Sequence, residues 1–301
     1  MKHVLNLIDR PADHIALWIE RAAELKADRT LARATLAGKV VGLVFEKPSL
    51  RTRVSFEAAV AQLGGTSLFF PGNEIGLGWR EPVPDFARVM SRYIDCLVGR
   101  VFQQSTLEDL AKWGTIPVIN GLSDRSHPCQ AIADLLTVRE HFGSLEGRTI
   151  AFIGDGNNVA MSLAVACGRV GAKFVLACPK GYAFDEDFLK NYAAKVGSDL
   201  PETTHDPACA AAKADVLYGD VWTSMGQEAE RDVRLRKFAK FQINDALLSA
   251  CKNTTIVLHC LPAHRGEEIT AAVMEGPRQR IFDQAENRLH AQKAILEWAL
   301  A

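Results

Sequence analysis

Apolar residues fall along the chain in short β-branched runs that alternate with longer stretches of helical spacing. KVVGLVF at 39–45, TSLFF at 66–70, DCLVG at 95–99 and IPVIN at 116–120 form a first set. TIAFIG at 149–154, KFVLAC at 173–178, ADVLYGD at 214–220 and TIVLHC at 255–260 form a second. Runs of this length read as strands buried on both faces, and their alternation with helices builds parallel sheets. A chain of 301 residues has room for two such layers. The expected fold class is therefore α/β, with two doubly wound parallel-sheet domains joined by helices.

A helical pattern opens near Pro128, carries Leu135, Leu136 and Val138, and ends at His141, Phe142 and Gly143. This predicts a first domain over 1–147 that includes a linking helix at about 128–142, and a second over 148–284. Residues 285–301 form a last helix, with Leu289, Ala294, Ile295 and Trp298 on one face that must dock on something apolar. It is expected to pack back on the first domain. The segment EAERDVRLRKFAKF at 228–241 reads as a solvated helix face and is assigned no chemistry.

Charge narrows the function classes. Lys and Arg number 35 against 36 Asp and Glu, a balance that argues against a nucleic-acid surface, so any basic site is local. No apolar stretch is long enough to span a bilayer, and charges interrupt the N-terminal residues too early for a secretory core. No membrane partner is expected, and the cytoplasm is the expected location. Seven cysteines, with an odd count and no C-x-x-C spacing, suggest neither a disulfide framework nor a zinc set. Most are read as small buried apolar residues.

Candidate chemistry gathers where strands end. KVVGLVF runs into Ser49, Leu50, Arg51 and Thr52, at the start of a helix that closes on Gly64 and Gly65. Unpaired backbone N–H groups, a hydroxyl and a guanidinium make such a turn suited to phosphate, although a plain Ser cap with surface arginines has the same local pattern. Arg100 stands after DCLVG, at a carboxyl end of the same sheet, where open α/β folds place ligands. His127 and Gln130 share the first turn of the linking helix. A donor for a carbonyl oxygen and an acceptor for an amide N–H are what a carbamoyl group needs, whereas a lone His before Pro is otherwise a capping or core residue.

In the second set, TIAFIG leads to Gly156, Asn157 and Asn158, but the third glycine of a dinucleotide-binding turn is missing. Asn158 could instead hold a small polar substrate. ADVLYGD exits into Asp220, Ser224, Met225 and Gly226, offering a carboxylate for an ammonium group, or merely a turn cap. TIVLHC exits into His259, Cys260, Leu261, Pro262 and His264, where no further clustered ligands complete a zinc site and no base for a thiol nucleophile is evident. No metal and no cofactor are expected.

Taken together and in this order, the motifs resemble the aspartate/ornithine carbamoyltransferase family over essentially the whole chain. SLRTR at 49–53, Arg100 and HPCQ at 127–130 resemble the family's carbamoyl phosphate site. DVWTSMG at 220–226, HCLPAHRGEE at 259–268 and FDQAENRLHAQKAIL at 282–296 resemble its ornithine branch. The resemblance implies catalytic roles for Arg51, Arg100, His127 and Cys260. It implies carbamoyl phosphate binding by Ser49, Leu50, Arg51, Thr52, Arg100, His127, Gln130, Cys260, Leu261 and Arg288, with Asn158, Asp220, Ser224 and Met225 on ornithine. It further implies small-molecule substrates and a homotrimer or trimer-based assembly. Two departures stand out. Leu50 occupies a position that is Thr in many relatives, and the loop PGNEIGLGWREP at 71–82 lacks a Gln, leaving Gly76 or Glu74 in its place. Trp79 in that loop resembles, more distantly, relatives that use N-acylated ornithine.

Overall fold

The structure, a computed structural model, describes residues 1–301 apart from Ser198, Met225, Gln227 and the side chain of Asn73. The chain forms two compact units: Met1–Ala133 together with Asn287–Ala301, and Asp134–Glu286.

The first unit holds β1 (Val40–Phe45), β2 (Thr66–Pro71), β3 (Cys96–Arg100) and β4 (Val118–Leu122), all parallel, in the order β2-β1-β3-β4. The chain starts inside the sheet, steps outward to β2, then returns to the other side of β1. Loops leaving the carboxyl ends of β1 and β3 therefore diverge, and a crevice opens between them. Phe45 is in register with Arg100, so both strands end at the same level. Leu43, Val44, Leu97 and Val98 are buried, as expected for strands covered on both sides.

The helix Ile281–Leu300 brings its last fifteen residues into this unit. Trp298 meets Trp18 edge-on with ring centroids 5.1 Å apart, and Arg21 grips Glu297 with two hydrogen bonds of 2.5 and 2.9 Å. The return of this helix to the first unit agrees with expectation, but its single apolar face does not. Every residue from His290 to Leu296 is buried, whereas Leu289 and Trp298 are only partly so. An enclosed helix has no solvent side to mark with polar residues, so here His290, Gln292 and Lys293 lie inside. Burial and the nearby Arg29 push the Lys293 ammonium down from its ordinary range.

The second unit holds β5 (Thr149–Ile153), β6 (Lys173–Ala177), β7 (Glu202–Thr204), β8 (Val216–Gly219) and β9 (Ile256–His259), parallel in the order β7-β6-β5-β8-β9. The same reversal occurs between β5 and β8. β7 was not among the expected strands: it is a three-residue Glu-Thr-Thr edge with no apolar side chain to announce it. Phe152 stacks on Tyr218 at 5.1 Å between centroids, and Gln284 ties this core together. Its amide donates to Asp134 (2.6 Å) and Tyr218 (3.1 Å), and its carbonyl accepts the His259 N–H (2.8 Å).

The charged segment at 228–241 corrects the reading of a solvated face. It forms a short 3-10 turn at Glu228–Glu230, the helix Arg231–Phe238 and a second 3-10 turn at Ala239–Phe241. Phe238 and Phe241 belong to the core, and Arg234 is buried. A guanidinium can enter an interior when carboxylates and a carbonyl meet its fork, which composition alone does not reveal.

Trp18 is 1% exposed and fills the space beside Trp298. Trp18→Ala is expected to lower unfolding stability by about 3–5 kcal/mol through the cavity it leaves. Urea denaturation followed by circular dichroism measures this; a change under about 1 kcal/mol would mean that the helix does not depend on this contact.

Candidate active site

In the first unit the groups that suit an anion lie around the reversal between β1 and β3. Ser49 has extended backbone and caps the helix Leu50–Gln62, its hydroxyl accepting the Thr52 N–H at 3.4 Å. The Ser49 and Thr52 hydroxyls are 3.0 Å apart. This cap leaves other first-turn N–H groups pointing outward at the positive end of the helix. Leu50 is 77% exposed, so its departure from Thr changes a side chain in solvent and leaves the backbone donor in place. Arg51 is exposed on the same turn, and no described residue pairs with its side chain.

Arg100 is buried at the end of β3, where the register with β4 shifts. His127 and Gln130 are buried at the start of the helix Pro128–Phe142. Arg288 joins the group from the C-terminal helix: one guanidinium nitrogen donates to the Gln130 carbonyl at 2.7 Å and another to the Thr52 hydroxyl at 3.1 Å. The structure thus brings Ser49, Thr52, Gln130 and Arg288 into one bonded network. Burial, then the charges of Arg288 and Arg100, hold His127 well below its ordinary pKa. His127 is therefore a neutral hydrogen-bonding group near neutral pH, beside cations rather than among them.

Lys47 was not singled out from the sequence. Burial and the neighbouring Arg100 pull its ammonium down, and it lies 4.9 Å over the Phe102 ring. Its place two residues beyond the end of β1 was the available signal, but a Lys in a loop is usually solvated.

The loop at 71–82 is fixed by its own backbone. Gly76 N–H donates to the Gly72 carbonyl (2.9 Å), and the Gly76 carbonyl accepts from Arg80 (2.7 Å). Gly76 has φ of 64°, and a Cβ there would approach Arg80 Cβ to 2.6 Å. A side chain at Gly76 would be strained and would crowd Arg80 and Trp79, so of the two positions that can stand for the missing Gln, Gly76 or Glu74, Gly76 is the one the loop's conformation explains. Trp79 at its tip is 79% exposed.

In the second unit the candidates again flank the reversal. Asn157 caps the helix Asn158–Arg169 by accepting from Val159 (3.0 Å) and Ala160 (3.1 Å). Its amide nitrogen then donates to Asp220 Oδ2 at 2.8 Å, while the Cys260 thiol donates to Asp220 Oδ1 at 2.9 Å. Loops after β5, β8 and β9 are thereby joined at one carboxylate. Asn158 and Ser224 are partly exposed near these loops; Met225 lies outside the described residues.

Leu261 has positive φ (58°), and its N–H donates to His259 Nδ1 at 2.9 Å. His259 Nε2 in turn faces Glu268 Oε1 at 3.1 Å. Cys260 and Leu261 stand in this second unit, whereas the other expected carbamoyl phosphate residues stand in the first.

Arg234 is a further residue that sequence reading missed. It donates to Asp155 (2.6 Å), Glu230 (3.0 Å) and the Trp222 carbonyl (3.1 Å), clamping the loop after β8 to the loop after β5. Asp155 is pushed up by burial, against the pull of Arg234 and with the help of Asp220.

Comparison with known proteins matches both units to one family. The carbamoyl-P binding domain of aspartate/ornithine carbamoyltransferase matches residues 2–140, and its Asp/Orn binding domain matches residues 146–299. The ornithine carbamoyltransferase of Acidothermus cellulolyticus is 50% identical over 100% of this chain and 97% of its own length. That of Archaeoglobus fulgidus is 48% identical, covering 98% of this chain and 96% of its own. The solved structure of ornithine carbamoyltransferase from Pyrococcus furiosus superposes with a TM-score of 0.92 at 47% identity, over 98% of this chain and 96% of that one. Fold and sequence agree, and the chain belongs to the aspartate/ornithine carbamoyltransferase family.

Proposed function

We propose that the chain transfers the carbamoyl group of carbamoyl phosphate to the δ-amine of L-ornithine, giving L-citrulline and phosphate. The observation that carries this reading is the network in which Arg288 joins Thr52 and Gln130 beside a neutral His127 and the cation Arg100. It offers directed donors for a phosphate together with a neutral donor and an amide for a carbamoyl group. The sequence similarity to ornithine carbamoyltransferases supports ornithine as acceptor. Residues 1–147 then take carbamoyl phosphate, 148–284 take ornithine, and 285–301 return to the first domain.

In this reading the neutral δ-amine attacks the carbamoyl carbon, a C–N bond forms, and the C–O bond to phosphate breaks. Arg51, Arg100 and the N–H groups after Ser49 neutralise the leaving phosphate, and His127 donates to the oxygen on which negative charge develops. Gln130 orients the carbamoyl nitrogen, a role the family resemblance extends to the Leu261 carbonyl and to Cys260. Asn158, Asp220, Ser224 and Met225 hold the α-amino and α-carboxylate ends of ornithine. Carbamoyl phosphate carries its own leaving group, so the reaction needs no metal or organic cofactor.

The proposed assembly is a homotrimer and the proposed location the cytoplasm, serving amino-acid biosynthesis. Leu50, Val54 and Trp79 leave apolar surface on the first unit that a second copy would cover. Among the described residues no helix is long and apolar enough to cross a membrane.

Citrulline formation with L-ornithine, N-acetylornithine, putrescine and aspartate at equal concentration tests the acceptor, and ornithine is expected to dominate. Turnover of another amine would shift the acceptor assignment to the 71–82 loop, and no turnover at all would leave a binding protein. Arg51→Ala is expected to cost about 3 kcal/mol in kcat/KM, on the scale of an oxyanion-type donor. A nearly unchanged value would remove Arg51 from the site.

The lowered pKa of His127 also has a stability signature. Below the unfolded-state value near 6.5 the unfolded chain takes up a proton that the folded site refuses, so stability rises with pH through this range and falls on acidification. The contribution reaches at most about 1.4 kcal/mol per pH unit. Between pH 7 and 5, His127→Asn is therefore expected to lose less stability than the parent protein. Equal losses in urea midpoints would show that His127 protonates as readily folded as unfolded.

A further inference from the structure

Loops leave the carboxyl ends of β5, β6 and β8 in the second unit, and the groups proposed to hold the acceptor amine sit on the first and last of these. Asn157 ties those two loops directly by its 2.8 Å bond to Asp220. A second tie runs through Arg234, which belongs to none of the three loops and stands on the helix Arg231–Phe238.

The buried guanidinium reaches all three. Nη1 donates to Asp155 Oδ2 (2.6 Å) after β5 and to the Trp222 carbonyl (3.1 Å) after β8, and the guanidinium carbon lies 5.1 Å from the centre of the Tyr182 ring after β6. Tyr182 is itself fixed to the β5 loop, because its carbonyl accepts the Gly156 N–H at 2.9 Å. A Cβ on Gly156 would come within 2.9–3.0 Å of backbone atoms of Tyr182, Ala183 and Phe184, so main chain meets main chain there. Phe238, one turn further along the helix of Arg234, meets the Tyr182 ring edge-on at 4.7 Å and stacks on the Trp222 ring at 6.0 Å.

The points of attachment decide what this clamp controls. Trp222 stands midway between Asp220 and Ser224, so the guanidinium holds the centre of the segment that carries both. Asp155 stands just before Asn157 and Asn158. A bond to a backbone carbonyl fixes the main chain rather than one rotamer, and a charged donor makes it about twice as strong as a neutral one. Glu230 also accepts, at 3.0 Å, but its side chain is exposed and its pull is weakened by solvent. The hold on the loops therefore comes from the arms to Asp155 and Trp222.

We infer that Arg234 is a positioning residue for the acceptor amine, setting where Asp220 and Ser224 stand relative to Asn158. The inference rests on the carbamoyl-transfer reading for which residues take the acceptor. Carbamoyl phosphate, assigned mainly to residues of the first unit, is not expected to feel it.

Steady-state kinetics of the full chain with the same panel of acceptors test this. Arg234→Met keeps the length of the side chain but offers no donor. It is expected to raise KM for the preferred acceptor at least about 10-fold, within the roughly 100-fold that a small displacement of a binding group costs, while kcat and KM for carbamoyl phosphate stay within about 3-fold. Because this change leaves Asp155 without its cation, the double variant Arg234→Met with Asp155→Asn is measured beside it. The double variant should regain stability in urea yet keep the raised acceptor KM, a split that a purely structural role does not produce. If Arg234→Met does not fold, the double variant alone carries the test, and Glu230→Gln should leave every constant near the parent value. An acceptor KM unchanged in Arg234→Met, or restored along with stability in the double variant, overturns the inference. A parent chain that prefers another amine corrects the acceptor assignment alone, and the same comparison is then decided with that amine. If no amine reacts, the acceptor reading fails, and hydrogen exchange of the Val221–Ser224 backbone decides the clamp: faster exchange in the double variant upholds it and equal exchange overturns it.

Discussion

A parallel strand delivers its next residues at its carboxyl end, and two neighbouring strands whose connections diverge leave a gap there that nothing in the sheet fills. That constraint operates once in each unit, and part of each candidate site gathers around it. Between β1 and β3 the gap receives Ser49 to Thr52 and Arg100. Between β5 and β8 it receives Asn157, Asn158 and Asp220. The chemistry is spread widely along the sequence because each loop leaves a different strand.

What occupies the first gap is an electrostatic balance. Arg51, Arg100 and Arg288 gather positive charge there, and a helix N-terminus adds partial positive charge. Within that field a histidine stays uncharged, because protonation would add a further positive charge in a buried place. In the proposed reaction, the positive field that suits phosphate also favours, together with burial, the neutral hydrogen-bonding form of His127.

Much of this was legible in the sequence. Among the described residues, eight of the nine strands announce themselves as β-branched runs, and the helix starts at Leu50 and Pro128 follow from the residues at their first turns. The exits of β1, β3, β5, β8 and β9 carry the residues that the family resemblance marks. What was not legible depends on distant partners. Glu202–Thr204 pairs only because β6 offers an edge, and the last helix hides its polar residues because it is enclosed. The loop at 71–82 could be seen to lack a Gln, with Gly76 or Glu74 in its place, but not that Gly76 sits where a side chain would be strained and crowded.

Arg234 illustrates how unevenly such a chain is free to drift. On its helix, neighbours such as Val233 and Lys237 face solvent and could change with little effect, as the highly charged composition of 228–241 suggests. At Arg234 even lysine is a poor substitute. The three acceptors at Asp155, Glu230 and the Trp222 carbonyl lie in directions that a planar fork reaches together and a single ammonium does not. The exposed positions of this segment are thus free to change while Arg234, like the core residues Phe238 and Phe241, is held, and the shape of the loop after β8 is inherited through it.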